Sequence, residues 1–200
     1  MEDRDPQMLE LVYHSALEPN PYIAADKVII EIGGRSLREP SSNREIKTIL
    51  HEVFPTQAFS GKPFSVSTVD PMRTLLEKAF LLHEEFSKPP EKVRHDRLSR
   101  HLYDLEKLMD TEYAAAALND YDFYTSIVDH RMKFNPIRGL DYSGHAPSRI
   151  NFIPPDAIIG KWEADYIAMR QSMIYGDTHE FAVLIQRLHE LQGHFRLLLS

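Results

Sequence analysis

The sequence predicts an α+β chain in which a small sheet feeds a helical bundle. Two observations carry this: the first third has strand-like periodicity, and the apolar period turns helical from Asp70 onward. Met8-Leu-Glu-Leu-Val-Tyr-His14 is apolar with partial alternation. Lys27-Val-Ile-Ile-Glu-Ile-Gly33 is β-branched and closes on Gly33-Gly34, which suits a sharp turn. Phe64-Ser-Val-Ser-Thr-Val69 alternates, with Phe64, Val66 and Thr68 on one face and Ser65, Ser67 and Val69 on the other. A short helix is expected from about Arg44 to Phe54, before the Ser60-Gly61-Lys62-Pro63 turn. These three strands read as one thin sheet.

Asp70-Pro71 is a start signal, a capping acceptor followed by proline at the first helical position. Met72, Leu75, Leu76, Ala79, Phe80 and Phe86 then recur at helical spacing up to Pro89-Pro90. Leu98, Leu102, Leu105 and Met109 stripe a helix from about Arg97 to Met109, and another spans Tyr121 to Phe134. Residues 135–160 carry scattered Pro and Gly and read as a long connection, of the kind that is functional or tied down locally. Trp162, Tyr166, Met169 and Met173 stripe the next helix, and Phe181 to Leu198 the last, with Asp177 and Glu180 resembling a capping box.

Composition narrows the function classes. The 200 residues are 42% hydrophobic and 26% charged, which excludes a disordered tail. No apolar run approaches the roughly 18 residues that cross a bilayer, and Met1-Glu-Asp-Arg-Asp5 is no secretory leader, so a cytoplasmic location is expected. With no cysteine, thiolate nucleophiles and Cys-ligated zinc are excluded. A net charge of −7 argues against one broad nucleic-acid face. A local basic stretch runs against that average: Lys88, Lys92, Arg94, Arg97 and Arg100 meet only Glu91 and Asp96.

Three places could carry chemistry. Glu31 interrupts the apolar run Val28-Ile-Ile-Glu-Ile32, as either an outward residue of a half-wet strand or a metal-binding carboxylate on a rigid strand. Thr74 and Lys78 stand four residues apart, about 6 Å along one helix face, and could hold a phosphate near the helix start. The plain alternative is a solvated face with an Arg73–Glu77 ion pair. In Arg97-Leu-Ser-Arg-His-Leu-Tyr-Asp104, residues Arg97, Arg100, His101 and Asp104 share one flank beside the leucine stripe. This is either a cationic edge for phosphate or RNA, with Asp104 orienting His101, or an ordinary ion-paired helix edge. His-based metal motifs, the Gly-x-Ser-x-Gly elbow and the phosphate loop do not occur. Tyr103, Tyr121, Tyr124, Tyr142 and Tyr166 read as residues at the rim of the core.

Taken in order, Ile30-Glu-Ile-Gly-Gly-Arg-Ser36, Pro71-Met-Arg-Thr-Leu-Leu-Glu-Lys78 with Leu82-His83-Glu84, and Arg97-Leu-Ser-Arg-His-Leu-Tyr-Asp-Leu105 resemble the AbiEii/AbiGii toxin family. Tyr124-x-x-Ile-Val-x-His-Arg131, Asp141-Tyr142, Trp162-x-x-Asp-Tyr166 and Met173-Ile-Tyr-Gly176 are similar to its tail. The resemblance implies a polymerase-β-like nucleotidyltransferase, the toxin of a type IV toxin–antitoxin pair. Its implied partners are a nucleoside triphosphate, tRNA as acceptor in some members, and a cognate antitoxin. Mg2+ is the implied cofactor.

By the same resemblance, Glu31 completes the acidic metal site, Lys78 and Thr74 hold the triphosphate, and Asp104 is the acidic residue of the final motif. Arg35, Arg97, Arg100 and His101 would contact phosphate. The family's opening Gly-Gly/Ser and Asp-x-Asp segment has no counterpart here, since Asp3-Arg-Asp5 lacks the glycines and the apolar strand. The expected fold is therefore an incomplete nucleotidyltransferase sheet over 1–88 followed by a helical bundle over 89–200. The expected activity is weak or absent for the chain alone. The alternative is a non-catalytic helical interaction module derived from that family.

Overall fold

The computed structural model describes residues 7–16, 26–34 and 40–198. Within them the chain is α+β, as the change of period predicts, with four strands and seven α-helices. The strands form two separate antiparallel ribbons where one sheet was expected. In the first, β1 (Gln7–Val12) pairs with β2 (Lys27–Ile32), placing Leu9 opposite Ile30 and Leu11 opposite Val28. Directly opposed residues share a face. One face is therefore Leu9, Leu11, Val28, Ile30 and Ile32 with Gln7, all exposed. The other mixes Met8, Ile29 and Val12 with Glu10, Lys27 and Glu31, and there Lys27 Nζ lies 2.9 Å from Glu10 Oε1.

In the second ribbon, β3 (Ser41–Ile46) pairs with β4 (Phe64–Val69). The expected alternation of β4 is observed, since Phe64, Val66 and Thr68 oppose Ile46, Arg44 and Ser42 on one face. The helix expected from Arg44 begins only at α1 (Ile49–Val53), where Thr48 Oγ1 accepts the His51 N–H at 2.9 Å. The Arg44–Ile46 stretch is strand instead. Ser-Ser-Asn-Arg-Glu-Ile carries no apolar alternation, so its extended form comes from ladder bonds to β4 rather than from burial. Gly61, at φ +71, makes the turn before β4 in a region that glycine enters at little cost.

The helical body holds the core. α2 (Pro71–Phe86) lies at its centre and packs against α3 (Ser99–Leu108), α4 (Glu112–Ala117) and α5 (Tyr121–Phe134). Against α3 also pack α6 (Ile159–Ser172) and α7 (Phe181–Arg196). Leu75, Leu76, Ala79 and Phe80 of the predicted stripe are fully buried, and so are Leu102, Leu105, Trp162 and Tyr166. Each large aliphatic or aromatic side chain so buried contributes roughly 1.5–3 kcal/mol. α2 also buries Arg73, His83, Glu84 and Glu85, so more than one stripe of this helix is covered. Tyr124 and Tyr166 lie in the core rather than at its rim.

Helix ends depart from the sequence reading in two places. Asp70 sits at the N-cap of α2, but its Oδ1 accepts the Ser42 hydroxyl at 2.6 Å and caps no backbone N–H. Glu180 is the N-cap of α7 and is held by Arg170 Nη1 at 2.6 Å, not by a capping box with Asp177. α4 is not disclosed by periodicity because its Ala run has no apolar stripe. The connection over 135–160 is tied down. Ile150 and Phe152 are fully buried, Phe152 stacks edge-on with Phe195 at 5.2 Å, and the Asn151 N–H reaches His83 Nδ1 at 3.1 Å. Among the described residues no helix is long and apolar enough to cross a membrane.

Candidate functional site

Lys78 on α2 and Asp104 on α3 meet where the two helices pack. Lys78 Nζ lies 2.9 Å from Asp104 Oδ2 and 2.8 Å from His101 Nδ1. His101 and Asp104 themselves are 3.9 Å apart, so the hydrogen bond expected between them is replaced by a lysine bridge. Burial lowers the His101 pKa below its ordinary value; Asp104 opposes this, while Lys78 and Arg100 reinforce it. The ring is then neutral at pH 7, and its Nδ1 lone pair accepts from the Lys78 ammonium. Burial by itself would raise the Asp104 carboxyl, but the Lys78 ammonium against it outweighs this and holds the group below the usual carboxylate range. The result is an ionised carboxylate and a fixed ammonium that both reach solvent, at 37% and 26% exposure.

Thr74 stands one turn before Lys78 and is half-buried. Arg97 and Arg100 are exposed around the start of α3. Arg97 has φ +59, which is uncommon for a residue with a Cβ. The conformation is held from α6, where Asp165 Oδ1 accepts the Arg97 N–H at 2.7 Å and Oδ2 the Ser99 N–H at 2.9 Å. Asp165 thus caps α3 from a different helix, a role invisible to local sequence signals. Asp165→Ala is expected to cost about 1 kcal/mol, the usual worth of a lost cap, read as a lower denaturant midpoint at unchanged slope.

The rest of the basic stretch is partly committed elsewhere. Buried Glu85 accepts the Arg94 backbone N–H at 2.8 Å, Arg94 Nη2 at 2.8 Å and Lys88 Nζ at 2.7 Å. The Arg73–Glu77 pair is present, with Nε to Oε1 at 2.9 Å, but Arg73 is buried rather than solvated. Glu31 is exposed on the mixed face of the β1–β2 ribbon, opposite Met8. Among the described residues no hydrogen bond or ion pair joins it to Lys78, His101 or Asp104. Arg35 lies outside the described residues, as do Asp3 and Asp5.

Sequence reasoning gives no role to a buried polar cluster between α2 and α5. Arg131 donates to both carboxylate oxygens of Glu84, with Nε to Oε1 at 2.8 Å, and His145 Nε2 approaches Oε1 at 3.2 Å. His145 is packed edge-on against His83 at 4.8 Å and stacked on Tyr142 at 5.0 Å, and its backbone carbonyl accepts the Tyr124 hydroxyl at 2.6 Å. The available signal is Glu84 itself. It lies four residues after Phe80, beside the apolar stripe, where a carboxylate needs a partner.

Among the described residues no three His, Asp or Glu side chains converge, and Asp104 is already paired with Lys78. The described donors alone therefore do not make a two-ion cage.

The model of the AbiEii nucleotidyl transferase toxin of type IV toxin–antitoxin systems matches residues 2–187. The chain belongs to this family. Membership implies a nucleotide substrate and an antitoxin partner, and the matched span of the AbiEii model includes the Lys78–His101–Asp104 junction and the Glu84 cluster. No curated protein and no solved structure matches the chain.

Proposed function

We propose that the chain transfers a nucleotide from a nucleoside triphosphate to an RNA acceptor such as tRNA, in the cytoplasm, and is weak or inactive alone. The observation that supports this reading is Lys78 held between an ionised Asp104 and a neutral His101 at the solvent edge of α2 and α3. In such a transfer an acceptor hydroxyl attacks the α-phosphorus, the bond to the β-phosphate oxygen breaks, and diphosphate leaves. The reaction needs cations on the departing charge. Lys78 is the cation already placed by its neighbours, with Thr74 one turn away, Arg100 on α3 and Arg97 just before its start. Asp104 is the carboxylate beside Lys78 in the proposed site, and Glu31 is assigned to it by the likeness to the family alone. Mg2+, which the family implies, would supply further positive charge on the triphosphate, and the described side chains alone do not form its cage.

Titration with Mg2+-nucleotide at low salt tests the reading. Saturable binding that weakens at least about tenfold in Lys78→Ala, the scale of one charge-assisted contact, is the expected result. Absence of any binding at millimolar nucleotide would overturn it.

A second reading, a non-catalytic interaction module, is favoured by one observation. The face of Leu9, Leu11, Val28, Ile30 and Ile32 is exposed although, Gln7 apart, it is aliphatic. On that reading, substitutions at Glu31, Lys78 and Asp104 leave the protein's effect in cells unchanged.

A further inference from the structure

A cleft of the described residues lies away from the Lys78 junction. It has a volume of about 870 Å³ and opens between α5, the start of α2 and the residues that lead into β3. This lies within the range of small-molecule sites, roughly 300–1,000 Å³. Pro40 and Met72 form one wall, and α5 forms the other with Phe123, His130 and Phe134. The spacing from Phe123 to Phe134 is roughly 16 Å along a helix, long enough for a nucleoside or the unpaired end of an RNA strand.

The chemistry of the α5 wall is specific. His130 and Phe134 stand ring against ring at 4.6 Å, tilted by 30°. Lys133 Nζ lies 5.1 Å from the centre of the Phe134 ring, so a cation sits beside the aromatic surface. Burial and the nearby Arg73 charge keep the His130 pKa below its ordinary value, so at neutral pH the ring is an uncharged stacking surface. Asp129, also in the wall, is a hydrogen-bond acceptor next to these rings. The lining's other carboxylate, Asp120, is engaged as the cap of α5, accepting the Phe123 N–H at 2.8 Å. Flat apolar faces with a carboxylate acceptor and a cation beside them are the complement of a planar heterocycle that carries an amino group and is attached to phosphate.

We propose that this cleft binds a nucleobase, stacked against Phe134, with Asp129 accepting from an exocyclic amino group and Lys133 facing the attached phosphate. The proposal rests on the nucleotidyl-transfer reading for its choice of ligand class and adds a site remote from Lys78. Two sources share this chemistry, the base of the triphosphate and an unpaired base of the acceptor.

The test is calorimetric titration of adenosine, cytidine, guanosine and uridine, and of single-stranded RNA trinucleotides, into the full chain. Adenosine, cytidine and guanosine are expected to bind more tightly than uridine, which lacks an amino group. Phe134→Ala is expected to weaken binding about tenfold, the scale of one base–aromatic stack, and Phe134→Tyr to retain it. Phe134 is 44% exposed at the end of α5, so its truncation leaves the core intact. Asp129→Asn should remove the preference over uridine. Competition between nucleoside and triphosphate assigns the cleft to the donor base. Competition with trinucleotides alone assigns it to the acceptor. No binding of nucleosides or trinucleotides at millimolar concentration, or equal binding by the wild-type chain and Phe134→Ala, overturns the proposal. Nucleoside failure alongside Lys78-dependent triphosphate binding sinks this site and leaves the nucleotidyl-transfer reading standing. The reverse pattern does the opposite.

Discussion

Glu84→Ala is expected to lower the unfolding free energy by about 3–5 kcal/mol, the usual cost of removing one partner from a buried ion pair. Glu84 is 6% and Arg131 15% exposed, so water cannot replace the lost carboxylate. The substitution also strips His145 Nε2 of its acceptor at the centre of the cluster. Glu77 Oε2, 4.0 Å from Arg131, is too distant to take over. If the loss comes from the orphaned guanidinium, the double substitution Glu84→Leu with Arg131→Met should cost clearly less than Glu84→Ala alone. Equal losses in denaturant unfolding would show that packing, not charge, sets the effect.

The same cluster fixes the sign of the pH dependence. Burial would raise the Glu84 carboxyl, but hydrogen bonds from His145 and Arg131 hold it below its ordinary 4.5, and Glu85 is likewise lowered by Arg94 and Lys88. A depressed carboxylate contributes stability above its unfolded pKa, and that contribution fades as pH falls through the folded value. His83, buried beside His145, and His101 are both held below 6.5. Below 6.5 the unfolded chain gains protons that the folded chain resists. Stability should therefore be level above about pH 7, decline first below 6.5 and again below 4.5. Unfolding curves that are flat from pH 7.5 to 5 would contradict the histidine stage.

Trp162→Ala is expected to cost a further independent 3–5 kcal/mol or so, the range for large aromatic truncations in a packed core. Trp162 is fully buried in α6 and meets Phe86 of α2 edge-on at 4.8 Å. Its indole N–H has no hydrogen-bond partner among the described residues. Trp162→Phe keeps a ring against Phe86 and removes that orphaned donor, so it should cost less than half as much. The loss should also reach the candidate site. α6 carries Asp165 one turn beyond Trp162, and Asp165 holds the start of α3 and the backbone of Arg97. Chemical denaturation reads the first effect, and weaker Mg2+-nucleotide binding by Trp162→Ala reads the second.

Much of the fold is legible in the chain because its helices bury regular stripes. The intervals Leu75–Phe80 and Leu98–Leu105 place α2 and α3 without any knowledge of their neighbours. β3 is not legible, because its mostly exposed polar residues show no apolar alternation and only pairing with β4 extends them. Caps are legible only when local. Thr48 and Asp120 cap their own helices, whereas α3 takes its cap from Asp165, more than sixty residues away. For the candidate site, the likeness in sequence marks Lys78, His101 and Asp104 separately, and spacing along one helix suggests a bond between the last two. Packing of α2 on α3 inserts Lys78 between them instead.

Sequence alone determined the long helices α2, α3, α5, α6 and α7, that β1, β2 and β4 are extended, and to which family the residues of α2 and α3 point. These follow from near-neighbour spacing, which needs no third dimension. Tertiary structure alone decided that Glu84 meets Arg131 and His145, that Asp165 caps α3, and that a cleft opens along α5 away from Lys78. Those pairings join residues distant in the chain, and only the burial of a charge or the satisfaction of a backbone N–H selects them.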